Sequence, residues 1–293
     1  MNLRGRIIEG RGGLYTVRDT KGQSYVLRAK NRFRREGIRP LVGDEVLFTR
    51  GRLEEHGWLE EILPRRSVSL RPPVANITQL IITLASEPPP DLMLADKLLV
   101  FAFRQDIKAL MVINKSDLDA ALPLKMQEAY APAGVQVLAL SALKGSGLET
   151  LRAAMKGHLN CFAGQSGVGK STLVSALTGL DLETGAVSHR TRRGRQTTRH
   201  ISLIDRQGLE VLDTPGFSLL ELPTQLEPER LREVYPEFLP LQPYCRFEVC
   251  LHDQEPGCAV EQALEAGRLN SGRVERYRQL LAEQKEKWST RYD

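Results

Sequence analysis

Residues 164 to 172 read GQSGVGKST. The glycines at 164, 167 and 169 let backbone N–H groups close around phosphate oxygens, and Lys170 neutralises the outermost charge. Ser171 is placed to hold Mg²⁺, while Gln165, Ser166, Val168 and Thr172 complete the cradle. The stretch follows the apolar segment HLNCFA and opens the helical segment KSTLVSALTG, the context of a P-loop rather than of a plain glycine turn. A second phosphate element is VLDTPGF at 211 to 217, a strand whose last residue, Asp213, suits the Mg²⁺ shell and whose Gly216 N–H suits a γ-phosphate. Between the two lies HRTRRGRQTTRH (189 to 200), with Thr198 as a further Mg²⁺ candidate. It reads as a loop that orders around γ-phosphate, or as a basic surface loop.

Base choice is written elsewhere. NKSD (114 to 117) ends the apolar run ALMVIN, where the ligand loops of an open α/β sheet belong. Asp117 can accept from the guanine N1–H and its exocyclic amine, a donor pair adenine lacks. Asn114 would bond the purine edge, and the Lys115 stem would cover the ring. SAL (141 to 143) follows the next apolar run, VQVLALSA, so the backbone at Ser141 and Ala142 can reach the guanine carbonyl. The guanine reader precedes the phosphate loop, so the GTPase motifs stand in rotated order, as if the chain had been cut and rejoined. A nucleotide site depends on which strands are neighbours and not on which comes first. Lys170, Thr198, His200 and Gly216 are the candidate catalytic residues. Phe217 stands where many GTPases carry the glutamine that orients water.

A metal centre is the third constellation. Cys245, Cys250, His252 and Cys258 form C-x4-C-x-H-x5-C, three thiolates and an imidazole that suit one tetrahedral Zn²⁺ with no open position. That is a structural zinc; a disulfide or free buried thiols are the alternatives. Cys161, before the P-loop, reads as core.

The elements that position these residues fall into three stretches. RGRIIEG, LYTVRD, QSYVLRA, DEVLFTR and WLEEILP are short alternating runs between turn signals, which suggests a small OB-like barrel. SVSLRPPVANI reads as a linker. Beyond it, QLIITLA, ALMVIN, VQVLALSA and HLNCFAG alternate with ADKLLVFAFRQ, GLETLRAAM and KSTLVSALTG, the pattern of a doubly wound parallel sheet. After the zinc ligands, AVEQALEAGRL and SGRVERYRQLLAEQKEKW read as amphipathic helices. The expected fold is multidomain: an N-terminal OB-fold β-barrel (1–67), a central circularly permuted P-loop GTPase α/β domain (68–222) and a C-terminal zinc-binding α-rich domain (223–293).

Charge separates the stretches further. Of 41 Lys and Arg and 36 Asp and Glu in 293 residues, 16 and 9 lie between Met1 and Pro72, leaving 25 against 27 for the rest. A polyanion would meet the first stretch. There KNRFRREGIR (30 to 39) interleaves Phe33 with Lys30, Arg32, Arg34, Arg35 and Arg39, cations for phosphates and a ring for a base; a solvated loop is the plainer reading. No apolar run reaches the about 18 residues a membrane helix needs, and MNLRGRIIEGRGG has no signal core, so a cytoplasmic protein without membrane contact is expected.

With these residues together, the chain resembles the RsgA (YjeQ) family of circularly permuted GTPases. The resemblance rests on RPLVGDEV, NKSD, GQSGVGKST, DTPGF and CRFEVCLHDQEPGCAV, and covers nearly the whole chain. It implies a protein that binds GTP and GDP, engages the small ribosomal subunit and its rRNA near the decoding region late in assembly, hydrolyses GTP there and leaves; a monomer is expected. One departure is visible: the family's GRHTT reads GRQTT here, with Gln196 in place of the histidine and His200 two residues beyond Thr198. A GTP-gated RNA-binding or RNA-chaperone module with incidental hydrolysis is the alternative. A zinc-dependent DNA regulator lacks a matching helix-turn-helix or paired-finger pattern.

Overall fold

Alternation of apolar and polar residues at the start of the chain produces strands with one buried face. The computed structural model describes residues 2–51, 56–181, 201–214 and 221–291. In β1 (Leu3–Arg11), β2 (Leu14–Asp19), β3 (Ser24–Ala29), β4 (Glu45–Thr49) and β5 (Gly57–Ile62), the inward positions Ile7, Val17, Leu27, Val46, Phe48 and Leu59 are buried. Pairing runs β1-β2-β3-β5-β4 and returns from β4 to β1; every pair is antiparallel except β3–β5, which is parallel. This is the closed five-stranded barrel expected of an OB-fold.

Two sequence expectations in this stretch are corrected. KNRFRREGIR is not an open loop, because α1 (Asn31–Arg35) occupies it between β3 and β4. Phe33 is only 4% exposed, so its ring belongs to the core and is not offered to a base, while Arg32, Arg34 and Arg35 stay exposed. The supposed linker at 67 to 77 is also structured. β6 (Val68–Leu70) pairs antiparallel with β7 (Pro73–Ala75), and Val74 and Ala75 are fully buried. Asn76 fastens this hairpin to the barrel, donating from Nδ2 to Gly43 O at 2.9 Å and accepting from Arg66 N at 2.9 Å. A Cβ on Gly43 (φ 96°) would lie 2.1 Å from Ala75 O, so only glycine fits that turn. Next to it, the buried Asp44 carboxylate accepts from Arg65 Nε and Nη2 at 2.7 and 2.8 Å and from Leu41 N at 2.7 Å. The VGD of RPLVGDEV is thus a lock as well as a turn.

The chain forms two compact units. One comprises Met1–Leu80, Glu149–Phe162 and Lys170–Phe217. In it the barrel is extended by β12 (Ser202–Arg206), which meets β1 at the Glu9–Ser202 pair and runs antiparallel to β13 (Leu209–Asp213). β11 (Leu159–Ala163) lies parallel to β13. α4 (Leu148–Met155) and α5 (Lys170–Thr178) are joined where Arg152 Nη2 donates to Leu177 O at 2.9 Å.

The second unit comprises Ile81–Leu148, Ala163–Gly169 and Ser218–Asp293. It holds β8 (Gln79–Leu84), β9 (Lys108–Ile113) and β10 (Gln136–Ala139) in the order β10-β9-β8, with β9 and β10 parallel. β8 is buried at all six residues, as a strand covered on both faces must be. α2 (Leu92–Phe103) and α3 (Ala121–Tyr130) are its crossover helices. The C-terminal region adds α6 (Ala259–Glu265) and α7 (Ser271–Ser289) around an aromatic cluster. Tyr235, Phe238 and Tyr277 lie there with ring centroids 4.8 to 5.2 Å apart, each pair worth about 0.5–1.5 kcal/mol beyond its buried area. α7 is tied to α2 through Asp96, which is fully buried and accepts from Arg273 Nη1, Arg276 Nε and Tyr130 Oη at 2.6 to 2.8 Å. No helix among the described residues is long and apolar enough to cross a membrane.

Candidate functional site

Three loops of the second unit meet at Asn114, which is 3% exposed at the end of β9. Its backbone N–H donates to Leu84 O at 2.8 Å, its Oδ1 accepts from Ala142 N at 3.0 Å and its Nδ2 donates to Val168 O at 2.8 Å. One amide therefore joins NKSD to the SAL loop and to the phosphate loop. A purine contact from Asn114 has only one N–H and one lone pair left to use. Lys115, at φ 58°, spans the same gap, its Nζ donating to Gly167 O at 3.0 Å and Glu87 O at 2.6 Å.

Asp117 is the acceptor of the group. The Ser141 hydroxyl, and after it the Lys144 ammonium, hold its carboxyl below the usual range, so it is ionised at neutral pH. Lys144 Nζ stands 3.2 Å from Oδ2. Sequence reasoning did not single out Lys144; its signal was a cation within the turn that follows SAL. Ser141 Oγ also accepts from Lys144 N at 3.3 Å, so one serine orders both the turn and the carboxylate.

The phosphate loop follows β11 and precedes α5, with Gly164, Gly167 and Gly169 all at positive φ. A Cβ on Gly164 would meet Thr83 O at 2.2 Å and one on Gly169 would meet Asn114 Nδ2 at 2.3 Å, so two glycines are required by close approach as well as by backbone angle. Gln165 pins the loop from outside. Its Oε1 accepts from Asp91 N at 2.5 Å and its Nε2 donates to Pro89 O at 2.8 Å. Val168 is buried, and its carbonyl is the one Asn114 holds; Ser166 lies exposed on the loop.

In the first unit, Lys170 and Ser171 open α5, Thr172 follows them, and Asp213 ends β13. Burial pushes Lys170 down to about 8. The Ser171 hydroxyl and the Asp213 carboxylate are hard oxygen donors, the set that fits Mg²⁺. Thr198, His200, Gly216, Gln196 and Phe217 lie outside the described residues. Cys161 is core as expected: fully buried, pushed up to about 12 by burial, its Sγ 3.5 Å from Thr214 Oγ1.

The four expected zinc ligands converge, their ligand atoms lying within 4.8 Å of one another. His252 Nδ1 is 3.8 Å from Cys245 Sγ and 3.4 Å from Cys258 Sγ. A tetrahedron with Zn–S about 2.3 Å and Zn–N about 2.0 Å has edges of about 3.5 to 3.8 Å, so the donor set fits that ion. Burial lowers His252 to about 4, which leaves the imidazole neutral and able to ligate. The cysteines are free, not disulfide-bonded.

An NKSD loop placed before a P-loop sequence, on a sheet preceded by a barrel and followed by a Cys3His cluster, is the arrangement of a circularly permuted GTPase. Family models agree: one described as RsgA GTPase matches residues 62–223, and one described as RsgA N-terminal domain matches residues 4–58. The chain belongs to the RsgA GTPase family and is a GTP-hydrolysing enzyme. It is 42% identical over 281 residues (94% of this chain, 92% of the relative) to a protein of Ruminiclostridium cellulolyticum named small ribosomal subunit biogenesis GTPase RsgA. A protein of Moorella thermoacetica with the same name is 43% identical over 284 residues (96% and 97%). Among solved structures, YjeQ from Thermotoga maritima superposes with a TM-score of 0.83 at 32% identity, covering 97% of this chain and 99% of that one. YloQ, a circularly permuted GTPase, gives 0.79 at 32% identity, covering 98% and 96%.

Proposed function

We propose that this GTPase binds the small ribosomal subunit and acts in its late maturation, with hydrolysis stimulated by the subunit. The observation that carries the reading is full-length similarity to proteins named for that role, joined to a guanine site whose loops are tied by Asn114.

In this reading Asp117 selects guanine, and the backbone of 164–169 and the Lys170 ammonium hold the phosphates; the Ser141 and Ala142 N–H groups, expected at the base carbonyl, donate instead to Ser146 O at 3.1 Å and Asn114 Oδ1 at 3.0 Å. Ser171, Asp213 and Thr198 would hold Mg²⁺, which supplies charge neutralisation between the β- and γ-phosphates when bound. Thr198, His200 and Gly216 would complete the catalytic set. Phe217 can neither accept a proton from water nor hydrogen-bond it, so turnover by the free protein should be slow, and contact with the subunit would complete the site. Cys245, Cys250, His252 and Cys258 would hold one structural zinc. The three-part division at 67 and 222, a monomeric state, rRNA as the contacted component and a cytoplasmic setting belong to the same proposal. The basic barrel, with Arg32, Arg34 and Arg35 exposed, supports the rRNA contact.

Sedimentation with purified small subunits tests it. The protein should pellet with small subunits in the presence of a non-hydrolysable GTP analogue, and much less with GDP. Equal pelleting in both states, or none, would overturn the reading.

A further inference from the structure

The outer face of the barrel carries a feature that nucleotide chemistry does not use. Leu27, Gly57 and Leu59 point inward and are buried, so the residues between them on β3 and β5 point out. Trp58 is 44% exposed there and Val26 45%. Strand register sets Arg28 beside Trp58 on one side, Thr49 beside it on the other, and Leu14 beyond Arg28, making one row across four strands. Arg28 is exposed and has no ion-pair partner among the described residues. Glu60, two residues along β5 from Trp58, is already bonded by Lys30 and by Thr49 Oγ1. The face therefore offers a large ring, an adjacent guanidinium with no ion-pair partner among the described residues and an acid already bonded by Lys30, in the most basic stretch of the chain.

We propose that this row is a stacking platform for unpaired RNA nucleotides: a base lies on the Trp58 indole while Arg28 meets the adjoining phosphate. The proposal rests on the rRNA contact of the preceding subsection and names its place and ligand class. The chemistry favours RNA over an apolar protein partner, because a protein patch would have to bury the Arg28 charge, whereas a nucleotide supplies a π-face and a phosphate together. It also explains how the barrel can offer a ring to a base although Phe33 is buried.

The chain has two tryptophans, so the full-length Trp288→Phe protein reports on Trp58 alone. Titration with a 12-nucleotide single-stranded RNA should quench its fluorescence to saturation; the same sequence as a duplex should quench it little. In the otherwise native protein, Trp58→Ala should weaken single-strand binding about tenfold, the scale of one lost stack, and Trp58→Phe should retain most of it. Arg28→Ala should lower the salt slope by about one. GTP affinity should not change. Absence of quenching, or unchanged RNA affinity in Trp58→Ala, overturns the proposal. So does a Trp58→Ala protein that loses small-subunit binding yet keeps RNA affinity, a result that assigns the face to a ribosomal protein. Failure of subunit sedimentation with intact single-strand quenching would instead sink only the maturation reading.

Discussion

In the proposed reading Asp117 bears the base choice through a carboxylate that Ser141 and Lys144 hold below the usual range. Asp117→Asn replaces one acceptor by a donor, so guanine meets a mismatched edge and xanthine a matched one. GTP affinity should fall by at least about a hundredfold, because a site built around a buried donor pair discriminates strongly when the pairing is lost. Xanthine nucleotides should bind better than GTP; equilibrium binding of both reads the swap, and unchanged GTP affinity would remove Asp117 from the role. Lys170 makes a second prediction, in pH. Burial lowers it to about 8, and a bound phosphate chain restores the charged form. Below pH 8 the lysine is already protonated and binding needs no proton. Above it, binding must take one up, so GDP affinity should be flat from pH 7 to about 8 and then fall by up to tenfold per unit. A flat profile to pH 9.5 contradicts the assignment.

At the scale of elements, the Cys3His cluster joins Cys245 and the turn around Cys250 and His252 to the start of α6 at Cys258. Cys250→Ser should lose the metal and loosen 245–258 while leaving GDP affinity within about twofold, since no ligand belongs to the phosphate or base loops. Elemental analysis beside nucleotide titration checks both halves, and wild-type protein purified without zinc would count against the centre. The same scale shows what was readable. β2 and the P-loop helix were legible because their signals are local: the apolar–polar alternation of Tyr15, Thr16, Val17 and Arg18 within LYTVRD, and glycines followed by KST. The Cys3His set was legible from spacing alone. Phe33 was misread because five surrounding cations outweigh one aromatic in a sequence, yet burial of a single ring decides its role. Residues 67 to 77 were misread because Pro72 and Pro73 mark a break, while the hairpin there is held by Asn76 and Gly43, distant partners that no local pattern reveals. α3 escaped because Pro123 sits in its first turn. The double bracing by Asn114 was hidden for the same reason as the hairpin: its partners are 28 and 54 residues away.

Across the whole molecule, rotation of the motif order changes what the chain leads into. In sequence, DTPGF, the segment proposed to sense γ-phosphate, leads directly into the region that bears the Cys3His cluster and α7. In its unit, the sheet strand β13 is also bound to the barrel through β12 and β1, with Arg6–Glu210 and Arg18–Asp205 pairs at 2.7 and 2.6 Å. These pairs are partly exposed and worth about 0–1 kcal/mol each, enough to fix orientation rather than stability. A chain so arranged is suited to make hydrolysis depend on what its other parts touch. GTP turnover by the full-length protein, measured with and without purified small ribosomal subunits, tests that claim most directly. The free protein should turn over at about 10⁻⁴ to 10⁻² s⁻¹, the range of unassisted GTPases, and small subunits should raise the rate at least about tenfold. Fast turnover by the free protein, or a rate indifferent to small subunits, would contradict the account.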